Sequence, residues 1–372
     1  MTAAVRSRFA GIGRGAARLI LLLAAVLLVA AALVPIERGD GRGSPRPALS
    51  GNAPLAAKVQ DDDLAVYDAV IVRLRRGEGY YPAAAAEHRR IGFPLKPGLA
   101  VRMPTLARIE AVLGDSGTQL AAIALLIAVL AAWWRRLGED APDQRLLAMG
   151  LLAVNAALGL NAYFFALHEL WAGMLLALSL ALHRRGKWAG ALAAAALALA
   201  IRELALPFAA LMAALALFRR DWREGAAWSA LIALFAVGLA WHLALVAAQT
   251  LPGDAHSASW LALRGLSGWL SDFTLSSNLR YLPHWLAVPA IIAALVGWAG
   301  WNTRAGAEGF LLYVGYGLAF MIAGRNENYY WGAVVIPAFL IGLAFVPGAV
   351  RDLVGAARGG PDSSGPATCP SA

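Results

Sequence analysis

The sequence predicts an all-α, polytopic membrane protein with about ten transmembrane helices, and three observations carry that prediction. Hydrophobic residues make up 60% of the 372 positions and charged residues only 15%. Several apolar runs approach the roughly 20 residues that a helix needs to cross a bilayer. The basic residues sit beside those runs and sort to one side of the scheme they define.

Taken in order, the expected spans are 17–35, 118–134, 146–164, 169–183, 188–201, 204–218, 225–247, 285–301, 308–323 and 331–349. Arg6, Arg8, Arg14 and Arg18 precede the first. A basic start, an apolar core and small residues also fit a cleaved signal peptide, but a core of about 17 residues favours a signal anchor. Either reading sends residues 36–117 outward as a large first loop. Within it, 36–60 is rich in Gly, Pro and Arg and reads as irregular. Residues 61–76 read as a helix that starts at Asp61, Asp62 and Asp63 and stops before Gly77 and Gly79. A second helix is expected within 98–114, where Leu106, Ile109 and Leu113 recur at helical spacing beside Arg102 and Arg108. Both suit helices lying on a membrane surface.

The motifs "WWRR", "HRRGK", "RRDWR" and "RDLVGAAR" follow the second, fourth, sixth and tenth runs. The positive-inside rule makes that side, with both termini, cytoplasmic in a multi-pass inner-membrane protein. The stretch 188–218 needs an even number of crossings, so it reads as a hairpin with Arg202 and Glu203 at its tip and Pro207 just inside the returning helix. Residues 1–358 form one transmembrane domain in this reading, and 359–372, "GGPDSSGPATCPSA", reads as a disordered tail. The net charge of +9 has no separate soluble domain to carry it, which points to a membrane surface and away from nucleic acid. Cys369, the single cysteine, excludes an intramolecular disulfide and a thiolate metal cluster.

The outward tips collect the residues capable of chemistry. They present His168 and Glu169, Arg202 and Glu203, a loop at 248–284 with Asp254, His256, Arg280 and His284, and "GRNENYYWG" with Arg325, Asn326, Asn328, Tyr329 and Tyr330. The middles of the runs hold Ala, Leu, Val and Gly, interrupted mainly by Asn155 and His242. An ion-coupled transporter places charged groups there, so the pattern weakens transport.

A first span followed by a large outward loop, early acidic residues in that loop and arginines on later outward loops resembles the GT-C superfamily of integral-membrane glycosyltransferases. The local patterns are "DDDLAVY", "GEGYY", "VRMPTL", "RELALPF" and "GRNENYYWG". The resemblance is one of layout over residues 15–350. It implies a GT-C-like fold and transfer of a sugar from a polyprenyl-phosphate donor to a lipid or glycan acceptor. Such enzymes carry an acidic pair in the first outward loop, and Asp61, Asp62 and Asp63 occupy that place, without an adjacent Glu. The chain is short for the family and lacks a C-terminal soluble domain.

That chemistry needs a carboxylate to take the acceptor's proton and cations to stabilise the departing phosphate. The base would be one of the three aspartates, with Asp63 favoured because Tyr67 lies one helical turn on. Arg202 and Arg325 would hold the phosphate, Arg102 would be third, Glu203 would orient Arg202, and Tyr329, Tyr330 and Trp331 would stack on the sugar or sit in the interfacial aromatic belt. Each residue also has a plainer reading. Three aspartates cap a helix start, or bind a divalent cation. His168 and Glu169 cap a hairpin, Arg202 and Glu203 form a structural ion pair, and the arginines at 73–76 and 89–90 face solvent or headgroups. His183 reads as a cytoplasmic flank and His242 as a packed helix residue. Alternatives of function are a transporter or flippase for a lipid-linked sugar and a non-catalytic membrane assembly factor.

Overall fold

The computed structural model describes residues 7–37, 62–161 and 164–359, with the backbone alone for Asp62 and Asp63. Asp61 and the tail from 360 lie outside the described residues. The chain is all-α, with no β-sheet among the described residues. Among the described residues fourteen α-helices follow one another: α1 Arg14–Leu33, α2 Asp62–Arg75, α3 Tyr80–Arg90, α4 Thr105–Asp140, α5 Arg145–Ala156, α6 His168–Leu182, α7 Ala189–Ile201, α8 Leu206–Phe218, α9 Trp222–Ala247, α10 Gly265–Leu275, α11 His284–Gly300, α12 Arg304–Ile322, α13 Ile336–Phe339 and α14 Val346–Arg358.

The chain is a polytopic α-helical membrane protein, but the ten expected spans are corrected. Among the described residues five helical segments are long and apolar enough to cross: Arg14–Leu33, Gly98–Asp140, Trp222–Ala247, Arg304–Ile322 and Ile336–Arg358. The reason is length. At 1.5 Å per residue, the 13-residue α7 and α8 each extend about 20 Å, against a hydrocarbon core of about 30 Å. α6 and α11, at 15 and 17 residues, also fall short. The run read as a span at 146–164 contains only the 12-residue α5 before a 3-10 turn. The run at 331–349 is interrupted too: a 3-10 segment covers Asn326–Val334, and the last apolar segment continues to Arg358.

Two of the long helices show a lipid-facing surface. α1 buries only Ala17 and Ala31 and exposes Leu19, Leu22, Leu23, Val26 and Leu33. α9 exposes Leu234, Val237 and Trp241. An apolar surface of that extent belongs against hydrocarbon. Inside, close backbone contact does the packing. A Cβ at Gly297 of α11 would stand 1.8 Å from Gly342 O, and one at Gly342 would stand 2.2 Å from Ala294 O. Trp298 fills the space beside them and donates its Nε1–H to Phe339 O at 2.8 Å. The two ends of the described chain also meet, since Arg14 and Arg18 of α1 both donate Nε–H to Ala357 O of α14 at 3.2 Å.

At one end of the bundle α2, α3 and the first part of α4 form a layer of their own. Gly114, at φ +66°, breaks the α4 backbone and separates the layer helix from the apolar helix that follows. The arginines read as a headgroup-facing surface are mostly engaged in ion pairs within this layer or with its neighbours. Arg73 pairs with Glu87 at 2.7 Å and Glu78 at 2.8 Å, Arg75 with Asp115 at 2.6 Å, Arg89 with Asp254 at 2.7 Å and Arg90 with Glu87 at 2.5 Å. Burial works against ionised Glu87, but hydrogen bonds from Arg90 and Arg73 outweigh it and hold the carboxyl below its ordinary range. The hydrogen bond from Arg89 holds Asp254 down to about 2.

The opposite end holds a buried ionic network that the sequence reading missed. His183, at the C-terminus of α6, is wholly buried, with Nε2 2.6 Å from Glu224 of α9 and Nδ1 3.0 Å from Glu308 of α12. Arg304 Nε reaches Glu308 at 2.7 Å and Arg219 reaches it at 3.1 Å. Arg136 of α4 donates to the His183 carbonyl and pairs with Asp140 at 2.6 Å. This network gathers the end of α6, the end of α8 and the starts of α9 and α12. Both arms of the α7–α8 hairpin therefore end at one ionic centre, and its tip at Arg202 points toward the layer.

Candidate functional site

The tip is fixed by a break in an apolar run. α7 stops at Ile201, Arg202 is extended (φ −148°, ψ 120°), one 3-10 turn covers Glu203–Ala205, and Pro207 sits in the first turn of α8. Arg202 is 1% exposed, so its charge needs partners. Its Nε donates to Glu169 Oε1 at 2.7 Å, and its Nη1 contacts Glu203. Glu169, wholly buried in the first turn of α6, also faces Arg102 Nη2 at 3.5 Å. Two guanidiniums thus converge on one carboxylate.

Arg102 arrives on the strap between α3 and α4. Tyr80 donates its hydroxyl to Arg102 O at 2.5 Å, and burial pushes the Tyr80 phenol up, keeping it a donor. His242 Nε2 donates to Val101 O at 3.1 Å, which leaves Nδ1 to accept from the Tyr81 hydroxyl at 3.2 Å. His242, read as a packed helix residue, therefore anchors the strap that carries Arg102. Leu95 to Leu99 of this strap, with Leu243, Val246 and Leu251, line an open apolar groove of about 620 Å³.

Tyr67 brings α2 to the same place. Its ring lies 5.6 Å from the Arg102 guanidinium carbon and packs edge-on against His168 at 5.2 Å. His168 is buried and donates Nδ1–H to Ala166 O at 3.0 Å. Asp62 and Asp63 stand on the first turn of α2, so the Asp63 backbone is one helical turn, about 6 Å, from that of Tyr67.

Six of the expected site residues are thus gathered: Tyr67, Arg102, His168, Glu169, Arg202 and Glu203. The segment 325–330 contributes differently. Arg325 turns to its own segment, with Nε 3.1 Å from Glu327 and 3.4 Å from Asn328 Oδ1. Asn326 opens the 3-10 segment, Asn328 donates to the Tyr330 hydroxyl at 3.5 Å, and the Tyr329 and Tyr330 rings stand 6.1 Å apart. Tyr330 packs against the core that holds Tyr67 and acts electrostatically on Arg102, and Trp331, next in the chain, stands 5.8 Å from the Arg202 guanidinium carbon.

Beside the cluster, Tyr67, Tyr80, His88, Arg102, Glu110 and His168 line a cavity of about 10 Å³, room for about one water. His88 there is held down to about 4 by burial, which the hydrogen bond to Pro94 O opposes. Among the described residues no three His, Cys, Asp or Glu side chains gather to hold a metal ion, and the side chains of Asp61, Asp62 and Asp63 lie outside that set.

The arrangement concentrates two buried guanidiniums on the Glu169 carboxylate, with an indole face alongside. The chain matches no family model and aligns with no curated protein and no solved structure.

Proposed function

We propose that this chain is a membrane glycosyltransferase that moves a sugar from a polyprenyl-phosphate donor to a lipid or glycan acceptor at the outer face of the cytoplasmic membrane. The observation that carries the reading is the buried convergence of Arg102 and Arg202 on Glu169, next to the helix that begins at Asp62 and Asp63.

In this reaction an acceptor hydroxyl attacks the anomeric carbon, and its proton passes to a carboxylate of Asp61, Asp62 or Asp63. The bond from the anomeric carbon to the phosphate oxygen breaks, and the negative charge left on the polyprenyl phosphate falls between Arg102 and Arg202. One base without a covalent intermediate inverts the anomeric centre. The apolar groove at Leu95–Leu99 is continuous in sequence with Arg102 and suits a hydrocarbon chain. The resemblance of the sequence to the GT-C superfamily in its early acidic residues and later arginines supports the same reading.

The test is incubation of the purified protein with labelled polyprenyl-phosphate sugars and candidate acceptors. Label should move to an acceptor, and the triple change Asp61→Asn, Asp62→Asn, Asp63→Asn should abolish movement. Transfer that survives the triple change removes the base from the mechanism. A flippase for the same lipid would keep its arginines and have no need of these aspartates.

A further inference from the structure

The end of the molecule opposite the candidate site carries cations of two kinds. Arg136, Arg184, Arg219 and Arg304 are engaged with carboxylates. Arg135 on α4, Arg185 and Lys187 in the α6–α7 turn, and Arg220 and Arg223 at the α8–α9 turn are exposed and have no ion-pair partner among the described residues. Acids at this end do not answer them: Glu139 pairs with Arg184, Asp140 with Arg136, Asp221 caps α9 by accepting from Glu224 N–H, and Asp143 in the α4–α5 turn makes no ion pair with them.

These turns are fixed relative to one another. Arg184 Nη2 joins the α6–α7 turn to Glu139 of α4 at 3.2 Å, and His183 joins it to Glu224 of α9 at 2.6 Å. A backbone bridge between Arg184 and Lys187 closes that turn with Arg185 at its outer corner. Two separate turns and the end of α4 thus present unneutralised cations from one rigid base.

The same level carries exposed aromatic groups. Trp134, Phe218 and Trp222 are 42%, 87% and 66% exposed, and the Arg145 guanidinium stacks on Trp134 at 3.3 Å. Phe218 and Trp222 flank Arg219–Asp221, and α9 beyond them shows its apolar face to lipid. Indoles and cations at one level, above an apolar wall, match the headgroup zone of a bilayer.

We propose that the turns at 184–187 and 219–223, with Arg135 of α4, form a binding site for the headgroups of anionic phospholipids. The lipid phosphate lies among Arg135, Arg185, Lys187, Arg220 and Arg223, with its acyl chains along α9. The site is independent of the transferase reading and lies at the other end of the bundle.

The experiment uses the full-length protein in nanodiscs of phosphatidylcholine alone or mixed with phosphatidylglycerol, with retained lipid counted by native mass spectrometry. Wild type should retain phosphatidylglycerol in preference to phosphatidylcholine. The combined change Arg185→Gln, Lys187→Gln, Arg220→Gln, Arg223→Gln should remove the preference, with each neutralised cation weakening binding roughly fivefold. Arg185→Lys, Arg220→Lys and Arg223→Lys together should keep it. If the combined Gln protein fails to fold, Arg185→Gln and Arg223→Gln singly, on separate turns, give the same reading. Equal retention by wild type and the Gln variants overturns the proposal. Displacement of the lipid by an equal concentration of inorganic phosphate overturns the lipid as its ligand.

Discussion

Replacing Glu169 by Gln keeps volume and one acceptor oxygen and removes one charge. Glu169 is wholly buried, receives Arg202 Nε at 2.7 Å and faces Arg102 Nη2 at 3.5 Å. Removing one partner of a buried ion pair leaves the other charge uncompensated, at a cost of about 3–5 kcal/mol. Here Glu203, 22% exposed, still meets Arg202, so the lower half of that range applies, roughly 3–4 kcal/mol. With an unfolding entropy of about 2 cal/mol/K per residue, a chain of 372 residues melts roughly 4–5 °C lower. Tryptophan fluorescence during heating of the detergent-solubilised protein measures the change. In an Arg202→Met background the same substitution should cost about 1–3 kcal/mol less, because the pair is already broken. A Glu169→Gln protein that melts with wild type, or that loses as much in the Arg202→Met background, would refute the coupling.

Further outcomes follow from other parts of the molecule. His183→Asn leaves Glu224 and Glu308 without the imidazole between them and should cost about 3–5 kcal/mol, read from the same thermal scan. Gly297→Ala places a methyl group 1.8 Å from Gly342 O, so the two backbones must part, at about 1–3 kcal/mol or more. His88, neutral in the folded layer and lowered to about 4 by burial, binds its proton more readily when unfolded. The folded state therefore loses stability as pH falls from about 6.5 to about 4 and regains it as pH rises. Melting scans across that window should show the loss in wild type and a flatter profile in His88→Gln.

Local breaks were the most legible features. A charged pair inside an apolar run, Arg202 with Glu203, followed by Pro207, marks the hairpin tip, where Arg202 is extended and Pro207 sits in the first turn of α8 without needing a backbone donor. Asp residues before an apolar-periodic run mark the start of α2. The number of spans was not legible. Composition reports that a helix is apolar on all sides, and it cannot separate a helix against lipid, such as α1, from one inside the bundle, such as α6. The ionic network at the far end was hidden for another reason: His183 and Glu308 are 125 positions apart, and Glu224 and Glu308 stand beside arginines that make them look like ordinary flanks. The same holds for the strap, where nothing near Val101 announces His242 as its anchor, 141 positions away. Arg325 was grouped with Arg202 by its place on an outward tip, whereas its side chain meets Glu327 and Asn328 and the segment reaches Arg202 through Trp331.

The most direct measurement is donor binding and sugar transfer in one preparation of the Asp61→Asn, Asp62→Asn, Asp63→Asn protein, beside Arg102→Gln with Arg202→Gln. If the aspartates supply the base and the arginines hold the phosphate, the first protein binds the labelled polyprenyl-phosphate sugar as wild type does and transfers nothing. The second then binds it at least tenfold more weakly, the loss of roughly 1.4 kcal/mol or more expected for charge-assisted contacts. Unchanged transfer by the aspartate-free protein, or unchanged donor affinity without the two arginines, would contradict the account.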